Sequence, residues 1–204
     1  MDLFEAIYKR RSIRSFISEK IPEEDIRKII DAAIWAPSGS DSQPWEFKVV
    51  IDERVKKDLA KIVKEEVENI IENEIKEPDD KKVLRSYGKY FTFFYKAPAV
   101  IVIYGKKEPS IFLKTINKYR PKETQIKSSS FVQSMSAAVQ NICLSAEALG
   151  YGTCWMTGPL IAEKMIKKAL NIGDDRTVTA IIPLGKPKAI PEPNERKKIK
   201  LEYI

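Results

Sequence analysis

The stretch FVQSMSAAVQNICLSAEALGYGTCWM, residues 131–156, decides how this chain folds. Residues 131–149 are apolar on nearly every side at helical length, and Gly150 stands where a left-handed residue commonly caps a helix end. A helix apolar all round belongs in the middle of a core. Residues 153–156 then read as a short strand. A buried helix turning directly into a strand calls for an α+β fold, a small central mixed sheet flanked by helices.

Outward from this stretch, three more strands fit the plan. Residues 99–104 form a β-branched run between Pro98 and Gly105, and 47–51 and 177–184 have the same character. A first helix is expected over 2–10, with Asp2 as cap and Leu3, Phe4, Ile7 and Tyr8 as its apolar side. A second starts at Pro22 and three acids, carries Ile26, Ile29, Ile30, Ala33 and Ile34, and stops at Pro37. A third covers 52–76, with Val55, Leu59, Ile62, Val63, Ile70 and Ile71 inward, until Pro78, Asp79 and Asp80 interrupt; another covers 160–170. Residues 105–130 have weak periodicity and end in the polar run Ser128, Ser129, Ser130, the pattern of a lid or binding loop. The tail beyond Pro187 mixes prolines with basic residues and ends in a strand-like 201–204. No repeat or composition shift divides the 204 residues, so one domain is expected over 1–204.

Histidine is absent. That excludes Ser-His-Asp hydrolases, Cys-His proteases and His-ligated zinc or haem, and no Asp/Glu spacing suggests a metal site. Cys143 and Cys154 lie in apolar surroundings and read as buried free thiols. The net charge of +7 would suit nucleic acid, but the basic residues interleave with Glu along helices, as in 65–76, and read as solvated faces. No run approaches the ~20 apolar residues of a membrane span, and the opening MDLFEAIYKRR lacks the order of a secretion signal. A cytoplasmic protein with no nucleic-acid or membrane partner is expected.

Three islands carry possible chemistry. Arg10-Arg11-Ser12-Ile13-Arg14 places three guanidiniums and a hydroxyl within one short segment. Arg makes paired, charge-assisted hydrogen bonds to phosphate oxygens; the alternative is a basic helix end complementing its own dipole. Residues 36–45, Ala-Pro-Ser-Gly-Ser-Asp-Ser-Gln-Pro-Trp, are either a small-residue loop that lets backbone approach a flat ligand or a plain surface turn. Residues 148–159, with Gly150, Gly152 and Gly158 about a strand, are either a cofactor-facing strand end or a cap and tight turn.

Taken in order, Arg-Arg-Ser-Ile-Arg, Ala-Pro-Ser with Gln-Pro-Trp, the Ala-Ala-x-Gln-Asn helix, Gly-Tyr-Gly-Thr-Cys-Trp and Pro-Leu-Gly-Lys-Pro resemble the nitroreductase family of flavoproteins over nearly the whole chain. The resemblance implies a homodimer with FMN at its interface, NAD(P)H as donor and a small-molecule electron acceptor such as a nitroaromatic, quinone or flavin. It implies FMN phosphate and ribityl contacts from Arg10, Ser12 and Arg14, with Arg11 adjacent. Pro37, Ser38 and Gly39 match the loop laid on the flavin by the second subunit, and Gln43 a residue at the flavin's polar edge. Thr157 and Gly158 match the backbone facing flavin N5, and Arg196, or Lys197 or Lys198 in its place, a cation closing the phosphate site. No protein nucleophile or base is implied, because the flavin carries the chemistry. Asp41 stands where the family commonly has Asn, and a carboxylate only accepts hydrogen bonds. Asn69 and Asn73 are candidates for an Asn beside the flavin pyrimidine. Iodotyrosine deiodinases, relatives within the superfamily, grip their substrate with Glu, Tyr and Lys; Glu65, Glu66 and Glu68 lack a Tyr one turn on.

Overall fold

Asp2 opens the chain's first helix by accepting the Glu5 N–H at 2.9 Å, and helix α1 (Leu3–Lys9) follows. In the computed structural model the described residues are 1–125 and 129–204. Beyond α1 come α2 (Glu23–Ile34), β1 (Trp45–Val50), α3 (Glu53–Asn73) and α4 (Pro78–Gly88). Then follow β2 (Ala99–Lys106), α5 (Ile111–Ile116), α6 (Ser130–Ala148), β3 (Gly152–Thr153), α7 (Glu163–Ala169) and β4 (Arg176–Gly185). Helix α3 is capped like α1, with Asp52 accepting from the N–H groups of Arg54 and Val55 at 2.7 and 3.2 Å.

The sheet order is β1-β2-β4-β3, with every named pair antiparallel. The parallel pairing of a mixed sheet is limited, among the described residues, to one bridge between Ser12 and Thr153. Strand β2 is buried along nearly its whole length because helices cover both faces. Ile101 and Ile103 point toward α2 and α6, where they meet Ile29, Met135 and Ile142. Val100, Val102 and Tyr104 point the other way, toward Leu59 and Val63 of α3 and Ile166 of α7. Helix α6 is the central helix its sequence predicts, with eight buried residues from Phe131 to Ala146.

Several elements depart from the sequence expectation. On α3 the inward stripe is Lys56, Leu59, Ala60, Val63, Val67 and Ile71, so Val55 and Ile70 lie outside it and a lysine lies within. Helix α4 occupies the stretch where Pro78 reads as an interruption; Pro at a first helical turn followed by Asp79 and Asp80 starts a helix instead. Residues 105–130 hold α5 and a 3₁₀ turn at Lys122–Thr124, while 126–128 of that expected lid, with Ser128 of its polar run, lie outside the described residues. No regular element follows Gly185 among the described residues, so 201–204 are not a strand. On α1 only Ala6 is buried.

Candidate functional site

The basic segment is held against the sheet by backbone. The Ile13 N–H donates to the Thr153 carbonyl at 2.8 Å, and the Ile13 side chain is buried. This approach needs Gly152: a Cβ there would sit 2.4 Å from Ile13 Cγ1. Gly150, at φ +81°, makes the left-handed turn out of α6 that its position predicts. Two of the three glycines of this island thus shape the turn that presents Ser12 and Arg14.

The arginines have different tasks. Arg11 donates through Nη1 to the Tyr8 and Arg10 carbonyls at 2.6 and 2.9 Å, capping the end of α1. Arg14 is exposed and donates to the Ser12 carbonyl at 3.2 Å. Neither Arg10 nor Arg14 forms an ion pair with a carboxylate among the described residues. Nearby, burial pushes the Glu147 carboxyl up, against the pull of Arg10 and Arg11. Burial likewise pushes up the thiols of Cys143 and Cys154, both buried and free; Arg14 works against it at Cys154.

Arg14 opens onto a groove of about 480 Å³ that contains residues 154–159, Tyr87, Tyr90, Phe91 and Phe93, a size typical of small-molecule sites. Its lining combines one cation, Arg14, with the segment 154–159 that includes Thr157 and Gly158, and with aromatic rings. Tyr87 and Tyr90 are well exposed, whereas Phe94, next to Phe93 in the chain, is fully buried and serves the core. Trp155, partly exposed in this groove, is a wall residue that sequence reading did not single out. Helix α4 is the carrier of Tyr87. Asn69 and Asn73 lie elsewhere, exposed on α3 and hydrogen-bonded to each other at 2.7 Å.

The loop 36–45 is stiff and strained. Ser40, Asp41 and Gln43 take positive φ values of 56°, 49° and 40°, which non-glycine residues hold only when their surroundings enforce it. The Gly39 N–H donates to Ser134 Oγ at 3.1 Å and the Gln43 N–H to Ser38 Oγ at 3.0 Å. The Gln43 side-chain amide donates to Asp41 Oδ1 at 2.9 Å. Trp45 is buried and anchors the loop to β1. Within this chain the loop does not reach the arginine groove. Gly39 and Gln43 line a second groove of about 430 Å³, walled by Lys106, Glu108, Ile111 and Lys114. Arg196 lies in the exposed tail and lines neither groove. The sequence-derived set therefore falls into two halves: Arg10, Ser12, Arg14, Thr157 and Gly158 in one place, Pro37, Ser38, Gly39, Asp41 and Gln43 in another. Among the described residues no cluster of His, Cys, Asp or Glu has the arrangement of a metal site, and no helix is long and apolar enough to cross a membrane.

Comparison with known proteins gives this divided site a context. A protein of Archaeoglobus fulgidus named, provisionally, as an NADH dehydrogenase/NAD(P)H nitroreductase is 30% identical over 89% of this chain and 83% of its own length. The crystal structure of a BluB-like flavoprotein from Clostridium difficile matches with a TM-score of 0.82 at 32% identity, covering 99% of this chain and 95% of that one. An iodotyrosine deiodinase crystallised with FMN and 3-iodo-L-tyrosine matches with a TM-score of 0.73 at 26% identity, covering 99% and 98%. The model of the Nitroreductase family matches residues 7–186, and the chain belongs to that family.

Proposed function

We propose that this chain is an FMN-dependent NAD(P)H oxidoreductase that works as a homodimer, in the cytoplasm, as one domain over 1–204. The observation that carries the reading is Arg14, which forms no ion pair among the described residues and lines a groove together with residues 154–159 and aromatic rings, with Arg10 and Ser12 in the same short segment. A phosphate monoester attached to a flat ring suits that combination, since guanidinium forks bind phosphate and aromatic walls bind the ring. Arg10, Ser12 and Arg14 would hold the phosphate and ribityl chain, and Thr157 and Gly158 would lie beneath the ring. When bound, FMN supplies hydride chemistry at N5, accepting from NAD(P)H and delivering to an acceptor in a ping-pong cycle.

The second subunit enters for two reasons. Residues 37–39, with Asp41 and Gln43, stand apart from the arginine groove of their own chain, so their contribution to a flavin site would go to the partner's. Helix α1 also leaves Leu3, Phe4, Ile7 and Tyr8 in solvent, and Trp35 at the end of α2 is exposed as well; apolar surface of this kind marks a protein interface. Arg196 would close the phosphate site from the tail of either chain. The acceptor is a small molecule that fits an open, flat pocket: a nitroaromatic, a quinone or a flavin.

A deiodinase activity, suggested by the likeness to iodotyrosine deiodinases, would need a zwitterion clamp on α3. There Glu68 instead pairs with Arg85 at 3.4 Å, and Glu72, not a tyrosine, stands one turn on. The deciding experiment is the visible spectrum of the purified protein, then stopped-flow reduction by NADH and by NADPH, and turnover with a nitroaromatic, a quinone and 3-iodo-L-tyrosine. Yellow protein with FMN bound far more tightly than riboflavin is expected. Colourless protein that does not take up FMN, or equal affinity for riboflavin, overturns the reading.

A further inference from the structure

A furrow that shares no lining residue with either groove runs along α3. A hollow of about 490 Å³ joins one of about 430 Å³ through Lys57 and Tyr95, and another of about 380 Å³ through Lys20, Ile51 and Pro98. Six lysines line it: Lys20, Lys56, Lys57, Lys61, Lys64 and Lys96. Its three carboxylates are engaged. Glu19 holds Lys186 at 2.6 Å, Glu53 stands 3.6 Å from Lys57, and Asp52 caps α3. Lys20, Lys56, Lys64 and Lys96 form no ion pair among the described residues.

Lys56 is the unusual member. Its residue is 4% exposed, and Nζ donates to the carbonyls of Ala97 and Pro98 at 2.6 and 3.0 Å. Both partners are neutral. A buried ammonium whose hydrogen-bond partners are both neutral is costly; Glu53 and Asp52 nearby offset part of that cost, and an anion beside it would lower it further. Burial accordingly pulls the Lys56 ammonium below its usual pKa. The furrow around it therefore has a recessed ammonium at its base, offset only in part by Glu53 and Asp52, and further lysines around it. A recessed charge is reached by a compact group rather than by the backbone of a long polymer.

We propose that this furrow is a second anion site, binding a small molecule with a phosphate or polyphosphate group between Lys20, Lys57 and Lys96, above Lys56. The test is calorimetric titration of inorganic pyrophosphate into the full-length protein in excess FMN, with single-stranded oligothymidine in a parallel titration. The expected result is saturable binding of one pyrophosphate per subunit with the flavin absorbance unchanged. In Lys57→Glu/Lys96→Glu the affinity should fall at least about tenfold, as charge-assisted contacts are lost, while turnover stays as in the parent. Lys20→Glu alone carries the same comparison should the double variant fail circular dichroism. No saturable heat below about 10 mM, equal binding in the variants, or release of FMN by pyrophosphate overturns the proposal. So does tight oligothymidine binding with pyrophosphate silent, which would make the furrow a polymer track.

Discussion

Helix α6 keeps Met135, Ala138, Val139 and Ile142 at 1% exposure or less, whereas α1 leaves Leu3, Phe4 and Tyr8 at 61%, 65% and 71%. Both helices are rich in large apolar residues, and they lie against each other. The difference is in what covers them. Helix α6 is enclosed by α2 and by the Ile101–Ile103 side of the sheet, all of its own chain. Helix α1 turns its apolar side outward and stacks Phe4 on Tyr8 with ring centroids 6.4 Å apart. Apolar pattern reports that a surface will be covered; it does not report by which chain. The candidate site divides in the same way. The arginine groove is assembled within one chain, while the strained loop 36–45 stands ready beside another groove.

The largest effect should fall on the enclosed side of this comparison. Ile142→Ala removes a fully buried side chain from the centre of the core, and such deletions cost about 2–5 kcal/mol. Urea unfolding should show that loss equally at every protein concentration. A loss that grows on dilution would place α6, too, at a subunit boundary.

On the other side, Phe4→Glu should leave the unfolding of the single chain nearly unchanged and weaken self-association by more than about tenfold, roughly 1.4 kcal/mol. Sedimentation equilibrium measures it. Retention of FMN by the resulting monomer would separate the flavin site from the dimer and break the parallel drawn above. Arg14→Ala tests the groove itself. FMN affinity should fall by about 1.5–3 kcal/mol, the scale of one charged hydrogen bond, with riboflavin affinity unchanged. Loss of both equally would mean that Arg14 supports the groove rather than the phosphate.

What the sequence made legible follows the same line. Helix α6, strands β1, β2 and β4 and the cap at Asp2 were readable because local pattern and tertiary structure agree there, whereas the strand expected over 153–156 is only the short β3 at Gly152–Thr153, and the cap at Asp52 was not singled out. Helix α4 was missed although Pro78, Asp79 and Asp80 repeat the helix-start pattern of Pro22, Glu23, Glu24 and Asp25; the preceding helix made them look like its stop. Lys56 was unreadable in principle, since its hydrogen-bond partners, the carbonyls of Ala97 and Pro98, are distant in sequence. In the site, the arginine segment and the loop were both found, and the family resemblance already set Pro37, Ser38 and Gly39 apart from the arginines of their own chain; the positive φ values of Ser40, Asp41 and Gln43 were not foreseen. Nor does sequence show that Arg11 caps α1 while Arg14 faces the groove.

A smaller effect belongs to the seam that ties α2 to the end of α6. Tyr151 donates to Asp25 at 2.7 Å, and burial, followed by that hydrogen bond, pushes the phenol up from 10.0 to about 12. A value raised in the folded state means that the native form holds the proton more tightly than the unfolded chain does. The contribution is therefore whole below about pH 10 and is lost as pH rises through about 12. Tyr151→Phe should cost about 1 kcal/mol at neutral pH and flatten the decline of stability across that alkaline window. An unchanged slope there would assign the alkaline decline to other groups.

The smallest effect is expected at Asp41, where the sequence resemblance leads one to expect Asn. If the loop serves a flavin across a dimer interface, a carboxylate there opposes negative charge on the reduced ring and lowers its midpoint potential. At ~6 Å and an effective dielectric near 20 the bare interaction is about 2.8 kcal/mol. Two features cut it down. Asp41 is exposed, and its Oδ1 already accepts from the Gln43 amide at 2.9 Å. For a two-electron couple about 30 mV corresponds to 1.4 kcal/mol, so Asp41→Asn should raise the potential by no more than about 30 mV. Folding should be nearly unaffected, because Asn tolerates the left-handed φ of 49° as well as Asp does. Spectroelectrochemistry on both proteins reads the shift. A rise within that range makes the loop a remote tuner of the partner's flavin, in keeping with the divided site. A potential unchanged to within about 10 mV leaves Asp41 with the single task its geometry already displays, holding Gln43 in a strained turn.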